Sequence, residues 1–134
     1  MKTIIVDDEI MAIKLVRNYL ERDKRVEIVG ECLDAGEALQ CVRERAVEAA
    51  FLDICIHGCM AGVELGKKLK ELNPQIVLIY TTGNAQYVDN AIDVEADFYL
   101  MKPLNAAELT FVVKKANELA LQRNKRIFAR TFGH

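Results

Sequence analysis

Three carboxylates, a pair of hydroxyls and one ammonium are the groups in this chain placed to do chemistry together. Asp7 and Asp8 follow the apolar run 3–6, and Asp53 lies in the run 49–54. Thr81 and Thr82 follow 76–80, and Lys102 follows 98–101. Each run is short and apolar or β-branched, the signature of a buried strand. Carboxylates packed together repel one another and hold raised pKa values. A divalent cation relieves that repulsion. An oxygen-only ligand set suits Mg²⁺, which keeps waters and prefers one or two carboxylates together with phosphate oxygens. A lysine and a hydroxyl beside such an ion are suited to grip a phosphoryl group. Acids and lysines are common in loops, but loop composition alone does not place three acids, a hydroxyl and a lysine together at strand ends.

For the groups to meet, the segments between them must fold in a particular way. Helical spacing of apolar residues predicts helices over 10–20, 35–45, 62–72, 85–92 and 104–124. Asp34 is a candidate N-cap, Asn73-Pro74 stops the third helix, and Asn105 with Glu108 resembles a capping box. Strands are predicted over 3–6, 26–32, 49–54, 76–80 and 98–101. Five strands and five helices in strict alternation mean βαβ units, a parallel sheet and helices on both faces. Continuous apolar strands fit burial on both faces. In such doubly wound α/β folds, sites form at the carboxyl ends of strands.

Composition bounds the function. At 134 residues and 51% hydrophobic content the chain is one domain with a real core. The net charge of −2 argues against a chain built to coat nucleic acid. No apolar run approaches the roughly 20 residues that cross a bilayer, and the amino terminus meets Asp7-Asp8-Glu9 too early for a signal peptide. Cys32, Cys41, Cys55 and Cys59 contain no CxxC pair. The expectation is a cytoplasmic protein with reduced thiols and no membrane partner.

Four motifs carry a family resemblance: Ile4-Ile5-Val6-Asp7-Asp8-Glu9, Phe51-Leu52-Asp53-Ile54, Ile79-Tyr80-Thr81-Thr82-Gly83 and Phe98-Tyr99-Leu100-Met101-Lys102-Pro103. In this order and spacing the chain resembles the receiver domain of a bacterial two-component response regulator. The resemblance implies a flavodoxin-like (βα)5 fold with strand order 2-1-3-4-5 over residues 1–122. It implies that Asp53 is phosphorylated by a sensor histidine kinase. Asp7, Asp8, Asp53 and the backbone carbonyl of Cys55 would hold Mg²⁺. Lys102 and Thr82 would bind the phosphoryl group, and Thr82 and Tyr99 would form the conformational switch. Thr81 competes for the hydroxyl role, but counting back 20 positions from Lys102 reaches Thr82, which fits the family spacing. No enzymatic turnover beyond Mg-dependent self-phosphorylation and self-dephosphorylation is expected.

The chain departs from the family after Asp53. His57 stands where a proline is usual, and Gly62 lies nine residues beyond Asp53 rather than eight, so the loop is one residue longer. Cys55, His57 and Cys59 are close in sequence, but a tetrahedral zinc site wants a fourth ligand and different spacing.

Charge is segregated. Residues 114–130 hold Lys114, Lys115, Arg123, Lys125, Arg126 and Arg130 against Glu118, a net of +5, while the rest of the chain carries −7. The alternation over 126–133 resembles the opening strand of a winged-helix effector. Residues 123–134 are therefore expected to be a basic linker and the first strand of a missing effector domain. DNA would be reached only through that effector. A homodimer through the family's fourth-helix/fifth-strand/fifth-helix face is a further implication. Two other functions compete. A phosphatase using Asp7 would want a second Asp two residues on, where Glu9 stands. An unphosphorylated pseudo-receiver acting as an interaction module would be favoured by loss of an acid or the lysine, and none is lost.

Overall fold

Hydrophobic side chains alternate along each strand between two separate cores, one on each face of a single sheet. In the computed structural model, residues 1–58, 61–84, 86 and 96–132 are described, with side chains through residue 125. The elements are β1 (Lys2–Val6), α1 (Ile10–Leu20), β2 (Glu27–Cys32), α2 (Ala35–Glu44), β3 (Ala49–Asp53), α3 (Ala61–Leu72), β4 (Val77–Thr82), β5 (Phe98–Met101) and α4 (Ala106–Phe132). The five strands are parallel in the order β2-β1-β3-β4-β5, the flavodoxin-like α/β arrangement. The helix predicted over 85–92 lies, apart from residue 86, outside the described residues, so the final helix is the fourth described.

One core joins Ile4, Val6, Ala50, Leu52, Leu78 and Tyr80 to α2 and α3 through Ala38, Leu65 and Leu69. The other joins Ile5, Phe51, Val77 and Ile79 to α1 and α4 through Ile13, Val16, Leu20, Leu109, Val113 and Ala116. Every residue of β3 and β4 is buried. Burial on both faces is why these strands read as continuous apolar runs. Caps set the helix starts. The Asp34 carboxylate accepts the Glu37 amide at 2.8 Å, and the Asn105 side chain accepts those of Ala107 at 2.8 Å and Glu108 at 3.1 Å. Among the described residues, no helix is long and apolar enough to cross a membrane.

The carboxyl-terminal segment corrects an expectation. A strand was predicted over 126–133, but α4 continues through Phe132. A lone strand leaves its backbone groups unpaired, whereas a helix pairs them internally. No glycine or proline lies between Pro103 and Gly133 to stop it.

Close packing is demanding at Gly66 of α3. A methyl at Gly66 would stand 1.8 Å from the Tyr80 hydroxyl, and that hydroxyl is buried with no hydrogen-bond partner among the described residues. Gly66→Ala should therefore destabilise the domain by about 1–3 kcal/mol through overpacking. Tyr80→Phe, which removes an unsatisfied polar atom, should be neutral to stabilising and should lessen the Gly66→Ala cost. Urea unfolding of the two single variants and the double variant measures both.

Candidate functional site

The carboxyl ends of β1, β3 and β5 deliver their charged groups to one rim. The Asp7 amide extends the ladder beyond β1 by donating to the Cys32 carbonyl at 3.0 Å. The Asp7 side chain is buried, and its Oδ1 accepts the Glu9 amide at 2.9 Å, which turns the chain into α1. Asp53 closes β3, is 8% exposed, and accepts the Cys55 amide at 3.0 Å on Oδ1. Lys102, just past β5, is held in place by its own amide donating to the Thr82 carbonyl at 2.8 Å. Its Nζ lies 2.9 Å from Asp7 Oδ2 and 3.1 Å from Asp53 Oδ2. Asp8 is half-buried beside them, and one oxygen from each of the three acids lies within 4.8 Å of the others.

The electrostatics follow from this packing. Burial pushes the Asp53 carboxyl above the ordinary carboxylate range. The Cys55 amide and the Lys102 ammonium pull it back in part, and the Asp7 charge pushes it up again. Burial alone would lower Lys102, but the hydrogen bond and charge of Asp7 and the charge of Asp53 more than offset it and hold the ammonium up. The directions are compatible, because one ammonium is shared by two buried acids with a third alongside. Three carboxylates and one lysine leave an excess of two negative charges. That donor set, all oxygen and two charges short of neutral, fits a hard divalent cation such as Mg²⁺.

Four of the expected site residues, Asp7, Asp8, Asp53 and Lys102, are thus brought together. Cys55 stands at the same rim through its amide. Thr81 and Thr82 are the last two residues of β4 rather than a loop after it, and both are buried. The Thr82 hydroxyl accepts the Asn84 amide at 3.1 Å and lies 3.3 Å from the Asn84 carbonyl, so it is engaged with the exit turn of β4 rather than with Asp53. Tyr99 pairs in register with Tyr80 and stacks on it, with ring centroids 5.9 Å apart.

Two contacts were not anticipated. The His57 amide donates to Asp8 Oδ2 at 2.9 Å, with the imidazole Nδ1 3.7 Å from the same oxygen. His57 has φ 54° and Gly58 φ 77°, a left-handed pair that curls the longer loop back over Asp8. Gly62 begins the return. Its amide donates to the Ile54 carbonyl at 3.0 Å, and a methyl there would stand 1.9 Å from the Asp53 carbonyl. The inserted residue therefore leaves α3 packed directly on the end of β3. Residues 59–60 of this loop lie outside the described residues, and among those described the metal-capable trio is Asp7, Asp8 and Asp53.

The sequence and fold match those of known proteins. A family model for the response regulator receiver domain matches residues 3–114. The sensory transduction protein LytT of Bacillus cereus is 31% identical over 115 residues, 86% of this chain and 46% of LytT. The transcriptional regulatory protein BtsR of Escherichia coli K12 is 36% identical over 110 residues, 81% of this chain and 45% of BtsR. The chain therefore spans less than half the length of these relatives. Among solved structures, the REC domain of AraT, a response regulator from Geobacillus stearothermophilus, superposes with a TM-score of 0.81 at 31% identity. It covers 92% of this chain and 97% of that one.

The buried Asp53 carboxylate, only partly compensated by Lys102 and the Cys55 amide, makes a prediction about stability. A group whose pKa is raised by folding favours the folded state fully only below its unfolded value of about 3.9, and loses that contribution as pH rises through the folded value. At neutral pH without divalent ions, Asp53→Asn should therefore raise the melting temperature by a few °C, equivalent to about 1 kcal/mol in a domain of this length. The gain should shrink as pH falls into the acid range. Melting curves of both proteins across pH in chelator-treated buffer check the sign, and a gain that grows on acidification would contradict it.

Proposed function

The chain belongs to the response regulator receiver family of two-component systems, and on that premise we propose that Asp53 is its phosphoacceptor. The observation that carries the reading is the sharing of Lys102 Nζ between Asp7 and Asp53 at 2.9 and 3.1 Å beside Asp8. In the proposed step an Asp53 carboxylate oxygen attacks the phosphorus of a phosphohistidine on a sensor kinase. The P–N bond breaks as the P–O bond forms, and the departing imidazole takes its proton from solvent. Asp7, Asp8, Asp53 and the Cys55 carbonyl would hold Mg²⁺, which supplies charge neutralisation on the transferring phosphoryl oxygens.

Lys102 then exchanges its contact with Asp53 Oδ2 for a phosphoryl oxygen while keeping Asp7. Thr82 gives up Asn84 and donates its hydroxyl to another phosphoryl oxygen. Tyr99 leaves its half-buried position on Tyr80 and packs behind Thr82. The two arrangements form an equilibrium that the phosphoryl group biases through its contacts in one of them. The output would be transcriptional and exerted by a separate effector domain, with residues 123–134 as the basic connector toward it. A homodimer through β5 and the neighbouring helices would be the active state.

Incubation with acetyl phosphate and Mg²⁺ followed by intact-mass measurement tests this. The expected result is one phosphoryl adduct on the wild type and none on Asp53→Asn. No adduct on the wild type would instead favour a pseudo-receiver that acts by protein binding alone.

A further inference from the structure

At the opposite edge of the sheet from the acid rim, α4 is fastened by two consecutive residues. The guanidinium of Arg123 meets Asp97 in a two-pronged pair, with Nη2 2.6 Å from Oδ1 and Nη1 3.3 Å from Oδ2. Nη1 also donates to the Ile76 carbonyl at 2.8 Å and lies 3.3 Å from that of Gln75, the residues that lead into β4. Asp97 is itself locked into the sheet. Its amide donates to the Leu78 carbonyl at 3.0 Å and its Oδ2 accepts the Leu78 amide at 2.9 Å. Lys70 of α3 adds a hydrogen bond to the Ile76 carbonyl at 2.7 Å and lies 3.6 Å from Asp97. The side chains of Lys70, Asp97 and Arg123 are only 12, 13 and 16% exposed. On the other side, Asn124 donates to Glu48 Oε2 at 3.2 Å, and Glu48 Oε1 accepts the Lys2 amide at 2.9 Å.

These ties stand where α4 passes the amino edge of the sheet. The helix has 27 residues, about 40 Å at 1.5 Å per residue, of which the eight after Asn124 make up about 12 Å. Among the residues whose side chains are described, its last buried core residue is Ala120. A planar guanidinium fixed bidentately sets orientation as well as distance. Asp97 directly precedes β5, which is four residues long and is followed at its other end by Lys102. One short strand therefore connects the ammonium at the acid rim to the carboxylate that holds the output helix.

We propose that the Asp97–Arg123 pair is a mechanical joint. It fixes the direction in which α4 leaves the domain and passes displacements of β5 at the acid rim to whatever lies beyond the helix. The transmission half of this inference rests on the phosphoacceptor reading, whereas the anchoring half does not. A continuous clamped helix also differs in kind from the basic linker and strand expected after residue 122. Linkage requires reciprocity, so a joint that feels the acid rim must also alter ligand affinity there.

Amide hydrogen exchange tests both halves, using wild type, Arg123→Gln and Asp97→Asn, the last of which keeps an acceptor for the Leu78 amide. Without ligand, both variants should speed exchange over 121–132 by about 10-fold or more, with β1 and β3 unchanged. Unchanged exchange over 121–132 in both variants would overturn the joint. With Mg²⁺ and beryllofluoride as phosphoryl mimic, the wild type should change exchange over 121–132 and the variants should not, while loading shows at 53–58 in all three. Loading at 53–58 with no wild-type response over 121–132 would overturn transmission. Absence of any loading would overturn the phosphoacceptor reading and transmission with it, leaving the ligand-free result to decide anchoring.

Discussion

Two buried acids share one ammonium at the rim, and a third acid stands beside them. The arrangement depends on backbone bonds to the neighbouring strands that fix where each charge stands. Asp7 is held by its own amide donating to the end of β2, Asp53 is itself the last residue of β3, and Lys102 is held by its amide donating to the last residue of β4. Parallel register across four strands therefore becomes charge geometry at their carboxyl ends. The same strands dry the site from below, since β3 and β4 are buried throughout. Dryness makes the Lys102 contacts strong and makes the leftover negative charge costly. That tension suits a site that receives a cation and an anionic group in turn.

The two ends of β5 are both ionic, and both differ from the ion pairs on the surface. Lys67–Glu64 and Lys115–Glu118 lie on exposed helix faces at 3.5 and 3.7 Å, where solvent screening leaves little net contribution. Lys102 and Arg123 instead bind carboxylates that are themselves tied to backbone amides. Removing either cation would strand a fixed, largely buried acid, which is the costly way to break a pair. The strand between them is short, so the two ends are not mechanically independent.

The loop after Asp53 shows how a departure from the family pattern is absorbed. An extra residue could have pushed α3 away from β3. Instead His57 and Gly58 take left-handed backbone, the His57 amide donates to Asp8, and Gly62 keeps its close seat on the Asp53 carbonyl. Both described ends of the loop are held, Asp53 by the Cys55 amide and Gly62 by its bond to the Ile54 carbonyl.

Much of this was legible in the residues alone. Apolar runs and helical periods specified the alternation, because strands buried on both faces have no polar side to show. Asp34 and Asn105 announced their helices, because a cap is a local bond spanning two or three residues. Asp7, Asp8, Asp53 and Lys102 were visible as polar groups ending apolar runs. The segment 126–133 was not legible, because its alternation suits a strand and its lack of breakers suits a helix. In the structure the helix continues through Phe132. Nor did sequence show that the Thr82 hydroxyl turns to Asn84, that His57 reaches Asp8 across 49 positions, or that Arg123 finds Asp97. Sequence by itself determined which local conformations are cheap and which groups stand at strand ends. Tertiary structure decided which of those groups touch. Lys102 lies 95 and 49 positions from its two partners, and contacts at such separations depend on register and packing that no local stretch of chain encodes.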